Sequence, residues 1–202
     1  MNTPENGNRT RRELAEALKT LLKRKPLEQM RVRELTELCG LRRQSFYYHF
    51  KDVYDLFDWT IRQEQAYLRG AREDCLTWRQ AMGAVLERAA EERAFYQAVL
   101  RYRGRAGLRE VFLLSEPLEA ALAYYRTRSG LNPSSERARV LCWETVLLSL
   151  LEGWISDDLD LTPEELLPVL ELLSVLEDEL LSSFSAALSA FFLQVSLSNI
   201  AL

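Results

Sequence analysis

Residues 32–56, VRELTELCGLRRQSFYYHFKDVYDL, hold two short amphipathic segments on either side of a glycine. The first is predicted to be a helix over residues 31–39, and its inward positions are Val32, Leu35, Leu38 and Cys39. Gly40 follows, where a left-handed C-terminal cap favours a residue without a Cβ atom. The second is predicted to be a helix over residues 42–50, with Phe46 and Phe50 directed to the core. Two short helices joined by a glycine turn are typical of a helix-turn-helix, here at about residues 31–50.

The outer face of the second predicted helix is polar, aromatic and basic. Its residues are Arg43, Gln44, Tyr47 and Tyr48, with His49 at the end. Arg and Gln pair bidentately with guanine and adenine in the major groove. Tyr, His and Lys side chains around them can contact phosphates and fix the register. Taken singly, these residues also fit core aromatics or solvent-facing charges, but their order after a glycine turn predicts DNA binding.

An amphipathic segment precedes these two helices. Residues 10–13, T-R-R-E, match a capping box, and the apolar positions after it share one helical face: Leu14, Ala17, Leu18, Leu21 and Leu22. Pro26 ends this predicted helix. Residues 1–55 carry 12 Lys/Arg and 8 Asp/Glu, a net charge of +4, whereas residues 56–202 carry 14 and 22, a net charge of −8. A basic segment on an acidic body is where phosphate would be attracted.

These motifs resemble the DNA-binding module of the TetR/AcrR family of bacterial transcription regulators. The resemblance covers about residues 9–57 and is strongest over residues 40–50, where the glycine, Tyr47 and the His-Phe pair fall in place. Within the family, RQSFYYHFKDVYDLFDW at residues 43–59 is most similar to the DhaS-like branch, named for a regulator of dihydroxyacetone kinase genes.

The resemblance implies a role for each matching residue. Arg33 matches a position that can reach a base edge, and Arg43 and Gln44 match the base-reading start of the recognition helix. Tyr47, His49 and Lys51 match positions that contact phosphate or set the register. Two residues depart from the family pattern: Val53 stands where many members have a phosphate-binding lysine, and Arg42 replaces the usual Ser/Thr helix cap, which can add a DNA contact. The predicted DNA-binding residues are therefore Arg33, Arg42, Arg43, Gln44, Tyr47, Tyr48, His49 and Lys51.

Composition favours an all-α protein. The chain of 202 residues is 48% hydrophobic and has only 8 glycines and 6 prolines, while Leu, Ala, Glu and Arg dominate. We expect two parts: a helix-turn-helix DNA-binding domain at residues 1–55 and a helical regulatory and dimerisation domain at residues 56–202. The three distant cysteines indicate neither a disulfide framework nor a zinc site and fit thiols in a reducing compartment. The first residues lack the apolar run of a secretory signal, so a cytoplasmic location is expected.

The predicted body is helical throughout, apart from a loop at residues 103–107. Asp52 and Asp55 begin one helix, Thr77 caps another, and Asn132-Pro133 and Thr162-Pro163 begin two long apolar helices. These two helices suggest a four-helix interface of a homodimer, the alternative being burial within one subunit. Aromatic residues of the body could line a ligand cavity or form ordinary core. The candidates are Trp59, Trp78, Tyr96, Tyr102, Phe112, Tyr125 and Trp143.

The expected function is sequence-specific regulation of transcription, as a dimeric repressor controlled by a small-molecule inducer or a partner protein. The alternative is a co-regulator that acts mainly through a partner protein, as the DhaS-like resemblance suggests. An enzyme is not expected, because the only histidine lies in the DNA-reading element and no metal-ligand spacing or glycine-rich phosphate loop occurs. No catalytic residue, metal or cofactor is therefore predicted. The uncharged tail 182–202 is interpreted as an extension of the dimer helix rather than a membrane anchor.

Overall fold

Eight α-helices and no β-strand occupy the part of the chain that the computed structural model describes, residues 4–73, 78–112 and 133–170. In chain order they are α1 (Pro4–Leu22), α2 (Val32–Leu38), α3 (Arg43–His49), α4 (Val53–Glu73), α5 (Trp78–Glu91), α6 (Arg93–Val111), α7 (Pro133–Ile155) and α8 (163–170). One turn of 3-10 helix, Leu27–Gln29, lies between α1 and α2. The predicted all-helical class is confirmed.

Helices α1, α2 and α3 pack around one apolar centre and are called the N-terminal module below. Leu14 and Leu18 of α1, Leu35 of α2 and Phe46 of α3 are fully buried there. The predicted capping box at Thr10 is wrong, since α1 already begins at Pro4, a residue preorganised for a first helical position. Thr10 lies inside the helix, and the Glu13 carboxylate instead pairs with Arg9, with Nε and Oε1 2.9 Å apart.

The turn between α2 and α3 has the predicted form. Gly40 has φ +64°, the left-handed conformation that glycine adopts without steric cost. Its N–H donates to the Glu37 carbonyl at 3.2 Å, and the Leu41 N–H donates to the Thr36 carbonyl at 2.8 Å. These two hydrogen bonds form a Schellman motif. One detail was wrong: Leu38 is 52% exposed, and Thr36 is buried in its place. The inward face of α2 therefore follows positions 32, 35, 36 and 39.

Helix α4 joins the N-terminal module to the rest of the protein. Asp52 caps it, because its Oδ1 accepts a hydrogen bond from the Asp55 N–H at 2.9 Å. The inner face of α4 is apolar, and its residues are all buried: Val53, Phe57, Ile61 and Leu68. In α5 the apolar residues of the inner face with described side chains are buried too: Met82, Val85, Leu86 and Ala89.

The predicted loop at residues 103–107 is wrong, because α6 continues through it with a kink. Gly104 has φ 61° and ψ −163°, and the residues on both sides are helical. Leu108 and Val111, both fully buried, attach the second half of the helix to the core. Gly104 alone departs from helical geometry, where the sequence suggested a loop of five residues.

The last two described helices begin where predicted, α7 at Pro133 and α8 after Thr162. The Thr162 N–H donates to Glu165 Oε2 at 2.8 Å and the Glu165 N–H to Thr162 Oγ1 at 3.3 Å, a reciprocal capping box. Helix α7 packs on α6 and buries Leu151 and Trp154. The predictions for residues 171–202, including the tail, lie outside the described residues. No described helix has the length and apolar character needed to cross a membrane.

Candidate nucleic-acid interface

Helix α3 presents its predicted DNA-reading side chains to solvent. Phe46 and Phe50 anchor the helix in the core, at 0% and 4% exposure. On the other side, Arg43 and Gln44 are exposed, and Tyr47 and Tyr48 are 53% and 72% exposed. The two tyrosines are therefore not core residues. The Tyr47 ring meets the buried Phe46 ring edge-on, with centroids 5.5 Å apart. This contact holds the Tyr47 side chain against α3.

Basic side chains frame this face. Arg42 is the N-cap residue of α3, but its exposed side chain makes no capping hydrogen bond. Lys51 is exposed just beyond the helix, where its backbone N–H donates to Asp55 Oδ2 at 2.9 Å. Within the described residues, neither these two side chains nor Arg43 forms an ion pair, so three cations at this surface face solvent without a carboxylate partner.

Arg33 is placed differently from the other predicted DNA contacts. It is exposed on α2, and its Nε lies 2.6 Å from Glu37 Oε1, one turn further along the helix. This hydrogen bond and the carboxylate charge raise the pKa of the Arg33 guanidinium. A contact from the Arg33 Nε to a base would therefore have to replace the existing pair with Glu37.

His49 is packed between the end of α3 and the start of α1. Its ring meets the Tyr48 ring edge-on, with centroids 5.0 Å apart, and a methyl group added at Gly7 would lie 3.6 Å from its Cε1. Burial lowers the pKa of His49, and the positive charge of Arg11 lowers it further. The His49 Nδ1 and the Arg11 Nε are both buried and lack a hydrogen-bond partner among the described residues. Sequence reasoning did not single out Arg11, whose only signal is a basic residue early in α1.

The four predicted ligand-binding aromatics whose side chains are described do not meet at one place. Tyr96 and Phe112 are buried and stack in parallel, with centroids 5.0 Å apart. Trp59 instead packs against Phe50 at 5.8 Å, and Tyr102 packs against Phe57 at 6.1 Å. The side chains of Trp78 and Trp143, and all of Tyr125, lie outside the described residues.

One small cavity adjoins Tyr102. Its volume is about 230 Å³, and it lies between α1 and α6. Of the predicted ligand-binding residues, only Tyr102 lines it, together with Lys25, Gln97 and Arg101. Nothing among the described residues groups three or more His, Cys, Asp or Glu side chains for a metal ion.

Known proteins similar to this chain are found by sequence and by structure. No protein-family model matches the chain. Among curated proteins, the chain is similar to the HTH-type dhaKLM operon transcriptional activator DhaS of Lactococcus lactis, with 27% identity over 90 residues, or 45% of this chain and 48% of that protein. The match thus spans about half the length of this curated relative.

Three solved structures share the fold. The dihydroxyacetone kinase operon activator DhaS matches with a TM-score of 0.63 and 16% identity, over 83% of this chain and 93% of its own. A TetR-family transcriptional regulator from Rhodococcus sp. matches with a TM-score of 0.60 and 18% identity, over 83% and 98%. The superantigen PfiT matches with a TM-score of 0.50 and 24% identity, over 86% and 97%. The chain therefore has a TetR-like fold near DhaS, as its motifs indicated. The superantigen PfiT shares this fold with transcription regulators, so the fold by itself does not define a function.

Proposed function

We propose that this TetR-like chain is a sequence-specific DNA-binding transcription regulator without enzymatic activity. Residues 1–55 bind duplex DNA, and residues 56–202 form a dimer and receive the regulatory signal. The observation that carries the proposal is the solvent-facing side of α3, where Arg43, Gln44, Tyr47 and Tyr48 project from a helix that two buried phenylalanines hold in place. A rigid support for exposed base-reading side chains is what direct readout in the major groove needs.

The DNA-facing side chains divide into two roles. Arg43 and Gln44, in the first turn of α3, contact base edges, because the N-terminal residues of a recognition helix lie deepest in the groove. Arg42, Lys51 and the tyrosine hydroxyls contact phosphates and set the register. Arg33 adds a contact if Glu37 releases it, and His49 supports the end of the helix that carries these groups.

A homodimer would place two such helices on one DNA duplex. Exposed apolar side chains on α7 and α8 support this arrangement: Leu141 is 54% exposed, Val146 41% and Val169 38%. Exposed apolar side chains on these helices are available for contact with a second copy. Two recognition helices in successive major grooves lie about 34–36 Å apart, so the operator is a near-palindrome.

Control of DNA binding follows from that spacing. A small-molecule inducer or partner protein that favours another orientation of the two modules would shift the population away from the DNA-binding state. We propose that the protein acts in the cytoplasm as a repressor, the commoner role in the family it resembles. The relative DhaS is named an activator. Expression of a reporter gene placed downstream of the operator therefore distinguishes repression from activation.

A fluorescence-anisotropy titration tests the proposal. The purified protein is titrated against duplex DNA from upstream of its own gene, with random duplex as competitor and at two salt concentrations, because phosphate contacts are salt-dependent. Binding that random DNA does not displace is the expected result, and Gln44→Ala serves as the matched loss-of-readout variant. Binding lost equally to random DNA would contradict specific regulation and favour a co-regulator, whose protein partner a pull-down would then identify.

A further inference from the structure

One buried carboxylate gathers hydrogen bonds from three other helices. Glu64 of α4 is 2% exposed, and its Oε2 lies 2.7 Å from Lys19 Nζ of α1. Arg88 of α5 donates from Nε to Oε1 at 2.7 Å and from Nη2 to Oε2 at 3.1 Å. Tyr96 of α6 donates its hydroxyl proton to Oε1 at 3.0 Å. These four residues are called the Glu64 cluster.

Further carboxylates surround the cations of the Glu64 cluster. Glu92 lies 3.8 Å from Lys19 Nζ and 3.6 Å from Arg88 Nη1, and the exposed Glu91 lies 3.4 Å from Arg88 Nη1, so three carboxylates contact two cations. Burial raises the pKa of Glu64, but the hydrogen bonds from Arg88 and Lys19 outweigh it, and its pKa lies below the ordinary value. Burial and the Glu64 charge raise the pKa of Tyr96, so the hydroxyl stays protonated and donates.

The geometry of such a cluster constrains orientation more than it adds stability. Desolvation of buried charges offsets most of their attraction, so an ion cluster contributes little net free energy. A shift of one helix, however, leaves a buried charge without its partner, whereas apolar side chains can slide past one another at lower cost. Lys19 is the one member on the N-terminal module, and it comes from the helix whose Leu14 and Leu18 pack in the centre shared with α2 and α3.

We infer that Glu64 is a positioning residue that fixes the N-terminal module on the body through Lys19, with Arg88 and Tyr96 holding the carboxylate in place. The structural part of this inference is independent of DNA. Its consequence, that the cluster sets the angle at which α3 meets an operator, rests on the proposed function.

Amide hydrogen exchange on the full-length protein tests the structural part. In Lys19→Met and Glu64→Gln, we expect exchange in residues 10–22 and 53–64 to quicken about tenfold while α7 keeps its protection. The double variant should quicken exchange less than the sum of the two single effects, since both changes remove the same Lys19–Glu64 pair. Lys19→Arg, which keeps the charge, should restore most of the protection.

The matched control is Glu144→Gln. Glu144 is 5% exposed and pairs with Arg109, joining α6 to α7 without touching the N-terminal module. This variant should quicken exchange in α7 and leave residues 10–22 unchanged. Equal acceleration of every segment by Lys19→Met would overturn the inference, because that pattern reports a general loss of stability. So would additive effects of the two single changes.

DNA binding separates this inference from the proposed function. If the wild type binds an operator, Lys19→Met and Glu64→Gln should lose about tenfold in operator affinity while keeping their affinity for random duplex. Unchanged operator affinity in both variants would refute the consequence that the cluster sets the angle of α3, with the proposed function intact. A wild type that shows no sequence preference would refute the proposed function, and the exchange experiment would still decide the role of Glu64.

Discussion

The backbone N–H of Leu41 donates to the carbonyl of Thr36 at 2.8 Å, across the left-handed Gly40. This bond closes the C-terminus of α2 and turns the chain directly into α3. Thr36 is itself held, because its Oγ1 donates to the carbonyls of Val32 and Arg33 at 3.0 Å each. The orientation of the exposed α3 face is thus set by backbone geometry at one glycine.

Gly40→Ala should destabilise the protein by about 1–2 kcal/mol, the cost of placing a Cβ atom in the left-handed region. The cost is conformational, since no atom lies within 4 Å of where the Cβ would stand. Gly70→Ala is the control, because Gly70 lies inside α4 in equally open space at an ordinary φ. Alanine there should stabilise by about 0.5 kcal/mol. Urea unfolding measures both, and two equal effects would contradict the role given to Gly40.

Gln44→Ala and Lys51→Ala should affect DNA binding in different ways. Loss of a base contact at Gln44 should cost about 1–3 kcal/mol on the operator and relax sequence preference. Loss of a phosphate contact at Lys51 should weaken operator and random duplex alike and lower the salt slope by about 1. Anisotropy titrations at several salt concentrations measure both quantities. Equal losses on both duplexes for both variants would refute this division of roles.

Local patterns predicted the N-terminal module well. The i, i+4 spacing of Phe46 and Phe50 and the glycine at position 40 are short-range signals, and both were confirmed. The error at Leu38 concerns one of four inward positions, because position 36 is buried instead of position 38 on a helix of seven residues, where few apolar positions define the buried face. At residues 103–107, two glycines suggested a loop, but packing of Leu108 and Val111 on the core overrode that local preference.

Local sequence patterns could not predict the Glu64 cluster. Lys19 and Glu64 are separated by 45 residues. Each is a charged residue of the kind that ordinarily lies on the exposed face of an amphipathic helix. Only the packing of α1 against α4 brings them together in the interior. Whether Tyr96 lines a ligand site or forms core stays a prediction, although its hydroxyl already has a partner in Glu64.

His49 should make stability fall as the pH is lowered. Burial and the Arg11 charge depress its pKa in the folded protein below the ordinary 6.5. The unfolded chain therefore binds a proton first, and the stabilisation is complete above pH 6.5 and is lost as the pH falls toward the folded pKa. Urea unfolding between about pH 5.5 and 7.5 should show this decline in the wild type. His49→Gln should flatten it; an unchanged slope in that variant would assign the pH dependence to other groups.

Gly104→Ala and Gly107→Ala should both destabilise α6, for different reasons. At Gly104, φ 61° with ψ −163° is a region that only glycine occupies readily, and the expected cost is about 1–3 kcal/mol. At Gly107, an added Cβ would stand 2.2 Å from the Arg103 Cβ, so the kink itself would have to open. Thermal unfolding measures both changes. Tolerance of alanine at both positions would mean that α6 can run straight, contrary to the kink.

Leu141→Lys should break the proposed dimer without unfolding the subunit. Leu141 is 54% exposed on α7, so a lysine there meets water in the monomer but would bury a charge in a packed interface. The dimer dissociation constant should rise at least about tenfold, which corresponds to about 1.4 kcal/mol. Leu38→Lys is a closely matched control, because Leu38 is 52% exposed on α2, away from the proposed interface. Sedimentation velocity over a concentration series compares the two variants. If Leu141→Lys sediments like the wild type, or Leu38→Lys dissociates to the same extent, the interface does not lie on this face of α7.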